Sequence, residues 1–237
     1  MSVLDAYSRR ARLAPAALAA APELALGVAL LPNLPGIDRL WSLVAFAVLP
    51  YVALMTRQLG NRVQDGLWSE WGGKPTLQRM RYRGTVNSQE VARLHVAVEG
   101  LLSSIKLPTS AEEEAAPAAA DREYDSAVRQ LIGLVRTDKR FGLVAEENAN
   151  YGYCRNLLGL KRLGVGGAWV TLAMSVAIGL TLAVTDHSSP APVLVLPVLV
   201  SLMALVQWRT VTSSWVRLSA EAYADRLFEA AQVMGRL

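Results

Sequence analysis

Thiols and soft metal ligands are nearly absent from this sequence. Its 237 residues include one cysteine, Cys154, and two histidines, His95 and His187. One thiol excludes a disulfide within the chain, and three soft ligands are too few for a zinc site. A Cys-His nucleophile pair is formally available. However, His187 falls in a short loop expected across the membrane from Cys154, and His95 falls on a separate helix. Cys154 therefore reads as a small packing residue. No Ser-His-Asp set, paired histidines or metal motif is present, so neither enzyme activity nor a cofactor is expected. Charge is scarce too: 19% of residues are charged, against about 25% in a soluble domain. Hydrophobic residues make up 52%, and the mean hydropathy is +0.26. Long uncharged stretches beside a polar remainder are the signature of membrane spans joined to a polar domain.

Residues 163–185, "LGVGGAWVTLAMSVAIGLTLAVT", carry no charge. At 1.5 Å per residue they outreach the ~30 Å hydrocarbon core. Residues 191–207, "APVLVLPVLVSLMALVQ", follow after "DHSSP" and complete a hairpin, in which Pro197 should kink the second helix. Residues 40–56, "LWSLVAFAVLPYVALMT", form a further uncharged run with Trp41 and Tyr51 as interfacial or packing aromatics. The alanine-rich stretch 13–32 holds Pro15, Pro22 and Glu23. It is either a fourth span or a helix lying near the surface. The preceding "SRRARLA" resembles a secretory or twin-arginine signal and is read as a retained helix.

Basic residues settle the expected topology. Arg9, Arg10 and Arg12 begin the chain, and the middle segment and tail are also basic, whereas the candidate outside loops hold only Arg39. Four spans put every basic cluster inside, so both termini are expected in the cytoplasm. Glu23 then lies within the membrane or at its hydrated edge. The expected fold is an all-α membrane protein, with two transmembrane helical hairpins (1–57 and 163–207) flanking a mostly helical cytoplasmic domain (58–162). A long amphipathic C-terminal helix (208–237) follows. In the third span Gly167, Thr171, Ser175, Gly179 and Ala183 recur every four residues. This small-residue stripe either lines a pore in a symmetric oligomer or packs against other helices.

Within the middle domain "NSQE" marks a helix start, with Asn87 as cap and Glu90 three residues on. Val91, Leu94, Val98, Leu101 and Ile105 then share a face. "SAEEE" at 110–114 places acids in the first turn of a short helix. After Pro117, the residues Tyr124, Val128, Leu131, Ile132 and Val135 repeat the helical period. "FGLVAEENANYGYCRNLLGLKR" should run as helix into the third span. In the tail Trp208, Val211, Trp215, Leu218, Tyr223, Leu227, Met234 and Leu237 mark one apolar face. That face is expected to pack on the middle domain or to bundle with other copies.

The segment "LWSEWGGKPTLQRMRYR" at 67–83 has the densest chemistry. "GGKPT" fails as a phosphate-binding loop: the first required glycine falls at Trp68, and Pro75 stands where Ser or Thr is needed. Residues 57–83 hold six basic groups against two acids, while 111–147 hold nine acids against five basic groups. If 78–83 is extended, Arg79, Arg81 and Arg83 point to one side; if helical, Arg79 and Arg83 share a face. Trp68, Trp71, Lys74, Arg79, Arg81, Tyr82 and Arg83 thus suit anionic lipid heads, or a single-stranded nucleic acid held by phosphate contacts and base stacking.

"LWSEWGGKPTLQRMRYR" and "ENANYGYCRNLLGLKR", the second leading straight into a span, together resemble a family of bacterial membrane proteins. Over about residues 40–180 the architecture resembles the membrane effector of Hailong anti-phage defence. The resemblance implies an ion-channel domain with a cytoplasmic crown, and a partner nucleotidyltransferase whose single-stranded DNA oligomers bind the crown and hold the channel shut. The expected function is therefore a homo-oligomeric, tetrameric ion channel of the bacterial inner membrane, gated by such an oligomer. The rivals are a non-conducting membrane scaffold that recruits a partner protein, and a lipid-headgroup enzyme using Glu23, Glu146 and Glu147.

Overall fold

The computed structural model describes the backbone of residues 6–30, 38–185 and 191–235, and the side chains of 7–30, 54–136, 138, 140–185 and 194–235. Every regular element among the described residues is helical. In chain order these are α1 (Ala6–Ser8), a π-helical turn (Arg9–Leu13), α2 (Ala14–Ala19), α3 (Ala21–Leu30), α4 (Asp38–Glu70), α5 (Pro75–Met80), α6 (Ser88–Leu101), α7 (Ser110–Ala115) and α8 (Pro117–Thr137). A 3-10 turn (Lys139–Phe141), α9 (Gly142–Thr185), α10 (Ala191–Thr210) and α11 (Ser213–Met234) complete the order. The side chains of Trp41 and Tyr51, the loops at 31–37 and 186–190 with His187, and Leu237 lie outside the described residues.

Two compact units divide the chain. The first comprises Met1–Asp65 and Gly152–Val216, the second Gly66–Tyr151 and Arg217–Leu237. Helices α4, α9 and α11 have residues in both. No helix break falls at 57 or at 162, where the polar segment was expected to begin and end; α4 and α9 run straight through.

The first unit is held by close backbone approach. Gly152 lies against the Tyr7 ring and Ala11, and Gly159 lies on the backbone of Leu59 and Gly60. Asn156 is buried, donates to the Ala11 carbonyl at 2.7 Å, and packs over Gly60. Gly164 accepts the Trp208 ring. Leu157, Leu160, Trp208 and Val211 form the adjoining core, with Tyr153 edge-on to Trp215 at 6.4 Å. The sequence "NYGYCRNLLGLKR" is thus a helix-packing surface, and Cys154 is buried in it.

Among the described residues, α9 alone is long and apolar enough to cross a membrane, and up to three spans arise if each bent helix pair counts as one. One such pair lies in the alanine-rich segment 13–32, where helices on either side of Ala20 diverge by 58°. Pro22 explains the bend, because its ring crowds the carbonyl one turn earlier and it has no N–H to give. The other pair bends by 64° between α10 and α11. That break resets the helical phase, so Leu218 is 67% exposed instead of sharing the face of Trp208 and Val211. The buried face of α11 is Val216, Ala220, Ala224, Leu227, Phe228 and Ala231.

The second unit has one apolar core. Leu77, Met80, Leu94, Val98, Tyr124, Val128 and Leu131 meet Leu227 and Phe228 of α11. The C-terminal helix therefore packs on the middle domain. Asn87 caps α6 by accepting from the Glu90 N–H at 3.2 Å, and Thr109 with Glu112 forms a capping box on α7.

The glycine contacts generate a test. A methyl group at Gly159 would stand 2.6 to 2.7 Å from backbone atoms of Leu59 and Gly60, whereas Gly166 faces open space. Gly159→Ala should destabilise the protein by about 1–3 kcal/mol, and Gly166→Ala should not destabilise it. Thermal unfolding of the detergent-solubilised variants measures both.

Candidate functional site

The turn "WGGKPT" is built by local rules. Helix α4 ends in a Schellman motif: the Gly73 N–H reaches the Trp68 carbonyl at 2.7 Å, and the Gly72 N–H reaches Ser69 at 3.3 Å. Gly72 and Gly73 have φ of 78° and 129°, backbone that side chains resist. Lys74 is extended, as a residue before proline must be, and Pro75 opens α5, where its missing N–H costs nothing. The double glycine is thus a helix stop, and the proline beyond it a helix start.

Helix α5 then ends at Met80, and Arg81 is extended. The three arginines are therefore neither one extended row nor one helical face. Each finds a carboxylate distant in sequence. Arg79 grips Asp225 through two parallel bonds of 2.7 and 2.9 Å. Arg81 grips Asp121 in the same way at 2.8 and 2.9 Å, and its third nitrogen donates to the Gly72 carbonyl at 2.7 Å. Arg83 reaches Asp121 at 2.6 Å and Glu113 at 3.1 Å. Such paired guanidinium–carboxylate contacts fix geometry as well as charge. Asp121 is shared by two guanidiniums, which hold its carboxyl below the usual range against the opposing effect of burial.

Glu113 is the hub of this lattice and is 2% exposed. Burial opposes its ionisation. The Tyr82 N–H at 2.8 Å, the Tyr124 hydroxyl at 2.8 Å, and the N–H and guanidinium of Arg83 outweigh that effect, so its carboxyl stays below the ordinary value. The Tyr124 hydroxyl is in turn pushed up, by burial and by the carboxylate it serves. His95 stands between two tyrosines, with ring centroids 4.9 Å from Tyr82 and 5.3 Å from Tyr124. Its Nε2 donates to the Met80 carbonyl at 2.8 Å, since a carbonyl can only accept. Burial pushes the imidazole below its usual range, despite that bond.

All seven expected ligand residues of 67–83 lie in the second unit, and they are engaged within it. Trp68 is half-buried with the Lys74 ammonium 4.9 Å from its ring centroid, and Lys74 bonds Asp125 at 2.6 Å. Trp71 is buried, and its carbonyl accepts from the Gln78 side chain. The Tyr82 ring packs T-shaped against His95. A cleft of about 870 Å³ opens beside the arginines, lined by Arg79, Arg83, Asn87, Arg217, Asp225 and Gln232 among others. Of the three arginines of 79–83, Arg79 is the most accessible in it: Arg79 and Asp225 are 48% and 49% exposed, against 37% for Arg83 and 14% for Arg81.

In the first unit the small-residue stripe is partly closed. Thr171 and Ser175 are buried, and the Ser175 hydroxyl donates to the Thr171 carbonyl at 2.8 Å. Gly167 lies under the Glu23 carboxylate, and Gly179 lies near Leu194 of α10. Ala183 is exposed. Glu146 and Glu147 belong to the second unit, where Glu147 accepts from the Asn150 side chain at 3.2 Å. Among the described residues no group of three or more His, Cys, Asp or Glu is placed to hold a metal.

Sequence reasoning missed Glu113, Asp121 and Asp225 as partners of the arginines. The only available signal was the excess of acids at 111–147 opposite the basic 57–83. Comparison of the chain with protein-family models, with curated proteins and with solved structures found no match.

Removing the hub leaves the Tyr82 and Arg83 N–H groups and the Tyr124 hydroxyl without their acceptor, while the Arg83 guanidinium keeps Asp121. Glu113→Ala should cost about 3–5 kcal/mol, as loss of one partner from a buried pair does. The pH dependence should have two stages. His95 is depressed in the folded state, so its contribution is present above the unfolded value of about 6.5 and fades as pH falls below it. Glu113 and Asp121 are also depressed, so theirs is present above about pH 4 and is lost as pH falls through the lower folded values. In thermal unfolding against pH, His95→Gln should remove the upper stage and keep the lower.

Proposed function

We propose that this chain is a multi-pass protein of the bacterial inner membrane, with cytoplasmic termini, that assembles as a homo-oligomeric ion channel controlled by an anionic oligonucleotide. The carrying observation is α9: 44 residues of unbroken helix that begin in the unit bearing the arginine cleft and continue into the charge-free span of the other unit. A helix without a break passes a displacement at one end to the other, which gating requires. The first unit is the membrane part and the second is the ligand-receiving part. The cleft supplies guanidinium groups, whose planar forks fit phosphate as they fit carboxylate. Ligand entry is an exchange: a phosphate takes the place of Asp225 on Arg79, the most exposed of the three arginines of 79–83. The resemblance to Hailong effectors supplies the biological setting, a defence response in which a partner nucleotidyltransferase makes the oligonucleotide.

A non-conducting membrane scaffold is the second reading. The burial of Thr171 and Ser175 within one chain favours it, because those hydroxyls are then not free to line a pore.

Proteoliposomes loaded with an ion-sensitive dye separate the two. A channel passes ions, and a short single-stranded DNA oligomer changes the flux; a scaffold gives no flux with or without DNA. In binding measurements Arg79→Gln should weaken DNA affinity and lower the salt slope by about one counterion. Asp225→Asn should strengthen binding by removing the competing carboxylate. Unchanged affinity in both variants would remove the cleft from the proposal.

A further inference from the structure

Glu23 is the only charged residue in the four apolar stretches 13–30, 40–56, 163–185 and 191–208. It projects from α3, whose other face (Pro22, Leu26 and Ala29) is buried. Its carboxylate lies over Gly167 of α9, so closely that a Cβ there would collide with Oε1. The glycine is therefore what admits the acid at this height on the span, five residues or about 7.5 Å along the helix from Arg162. Among the described residues Glu23 has no hydrogen-bond or ion-pair partner, and it is exposed on the single chain. An ionised carboxylate facing hydrocarbon is too costly to keep, so such a group faces a bundle interior or a water-filled path. Leu24 and Val28, beside it on α3, are also exposed, at 59% and 61%, and suit contact with a second copy.

We propose that the Glu23 carboxylates of several copies form a ring at the cytoplasmic mouth of the conduction path and select cations over anions. Rings of acidic side chains are a recurrent means of cation selection. The inference rests on the channel reading above, and it adds the ion class and the residue that sets it. Thr171 and Ser175 need not line the path, because the selecting oxygens come from α3.

The test is the reversal potential of purified, reconstituted protein in a planar bilayer under a potassium chloride gradient. Wild type should reverse near the potassium equilibrium potential, and Glu23→Asp should keep that preference. Glu23→Gln should move the reversal potential toward zero, and Glu23→Lys should carry it to the chloride side. Gly167→Ala, which displaces the carboxylate without removing it, should move it in the same direction as Glu23→Gln. Conductance with an unchanged reversal potential in both Glu23→Gln and Gly167→Ala overturns the ring while leaving the channel standing. Absence of conductance in wild type overturns the channel reading and the ring with it. Size-exclusion elution matching wild type establishes that each variant is folded and assembled.

Discussion

The buried carboxylate of Glu113 is the constraint on which the second unit depends. A charge taken out of water costs several kcal/mol unless it is both paired and hydrogen-bonded. Here the donors come from the extended segment after α5 and from α8, so ionised Glu113 can exist only when those elements are in place. Asp121 repeats the logic one level out, by taking one guanidinium fork and part of a second. Arg79 and Asp225 extend it to α11 at the surface. Stability should fall off in that order. The Glu113 carboxylate is buried, whereas an exposed pair such as Arg79–Asp225 contributes only about 0.2–1 kcal/mol. This weakest of the three also lines the cleft, so exchange of its carboxylate for another anion costs the fold least.

The first unit solves a different problem. Its helices are held by close van der Waals approach and internal hydrogen bonds, the means that small residues between helices provide. Gly152, Gly159 and Gly164 supply the approach, and Asn156 supplies a buried bond to a neighbouring backbone. Ser175 and Ser201 turn their hydroxyls back onto carbonyls of their own helices, at 2.8 and 2.7 Å. Those polar atoms are satisfied without a partner helix, which leaves the small side chains free to act as spacers.

What could be read from the sequence followed the range of the interaction. The cap at Asn87, the short helix over the acids of 110–114, and the continuity of α9 depend on neighbours a few residues away, and all stand in the structure as the local pattern implied. The faces of α6 and α8 followed from period alone. The partners of the arginines lie 30, 40 and 146 residues away, and a single sequence contains nothing that selects one distant acid over another. Leu218 was misplaced for a different reason: the break at Val211 and Thr212 restarts the helical phase, and periodicity counted across a break points at the wrong face. The alanines of α11 went unnoticed because small residues look neutral to a hydrophobic count, yet they are what lets that helix sit close.

Set side by side, the two units treat charge in opposite ways. In the second, eight basic and acidic side chains (Lys74, Arg79, Arg81, Arg83, Glu113, Asp121, Asp125 and Asp225) are drawn into ion pairs, so dense local charge in the sequence becomes a neutralised lattice. In the first, Glu23 lies over a glycine and has no ion-pair partner among the described residues. A neutralised lattice is cheap to explain by folding. The place of Glu23 in the first turn of α3 lets the helix dipole favour the carboxylate by about 0.3–1 kcal/mol, which is small against the cost of a charge facing hydrocarbon. Its retention needs a reason outside the single chain's stability, and contact with water or ions in an assembled protein provides one. The dense cluster was the louder signal in the sequence, but the isolated acid is the feature that folding leaves unexplained.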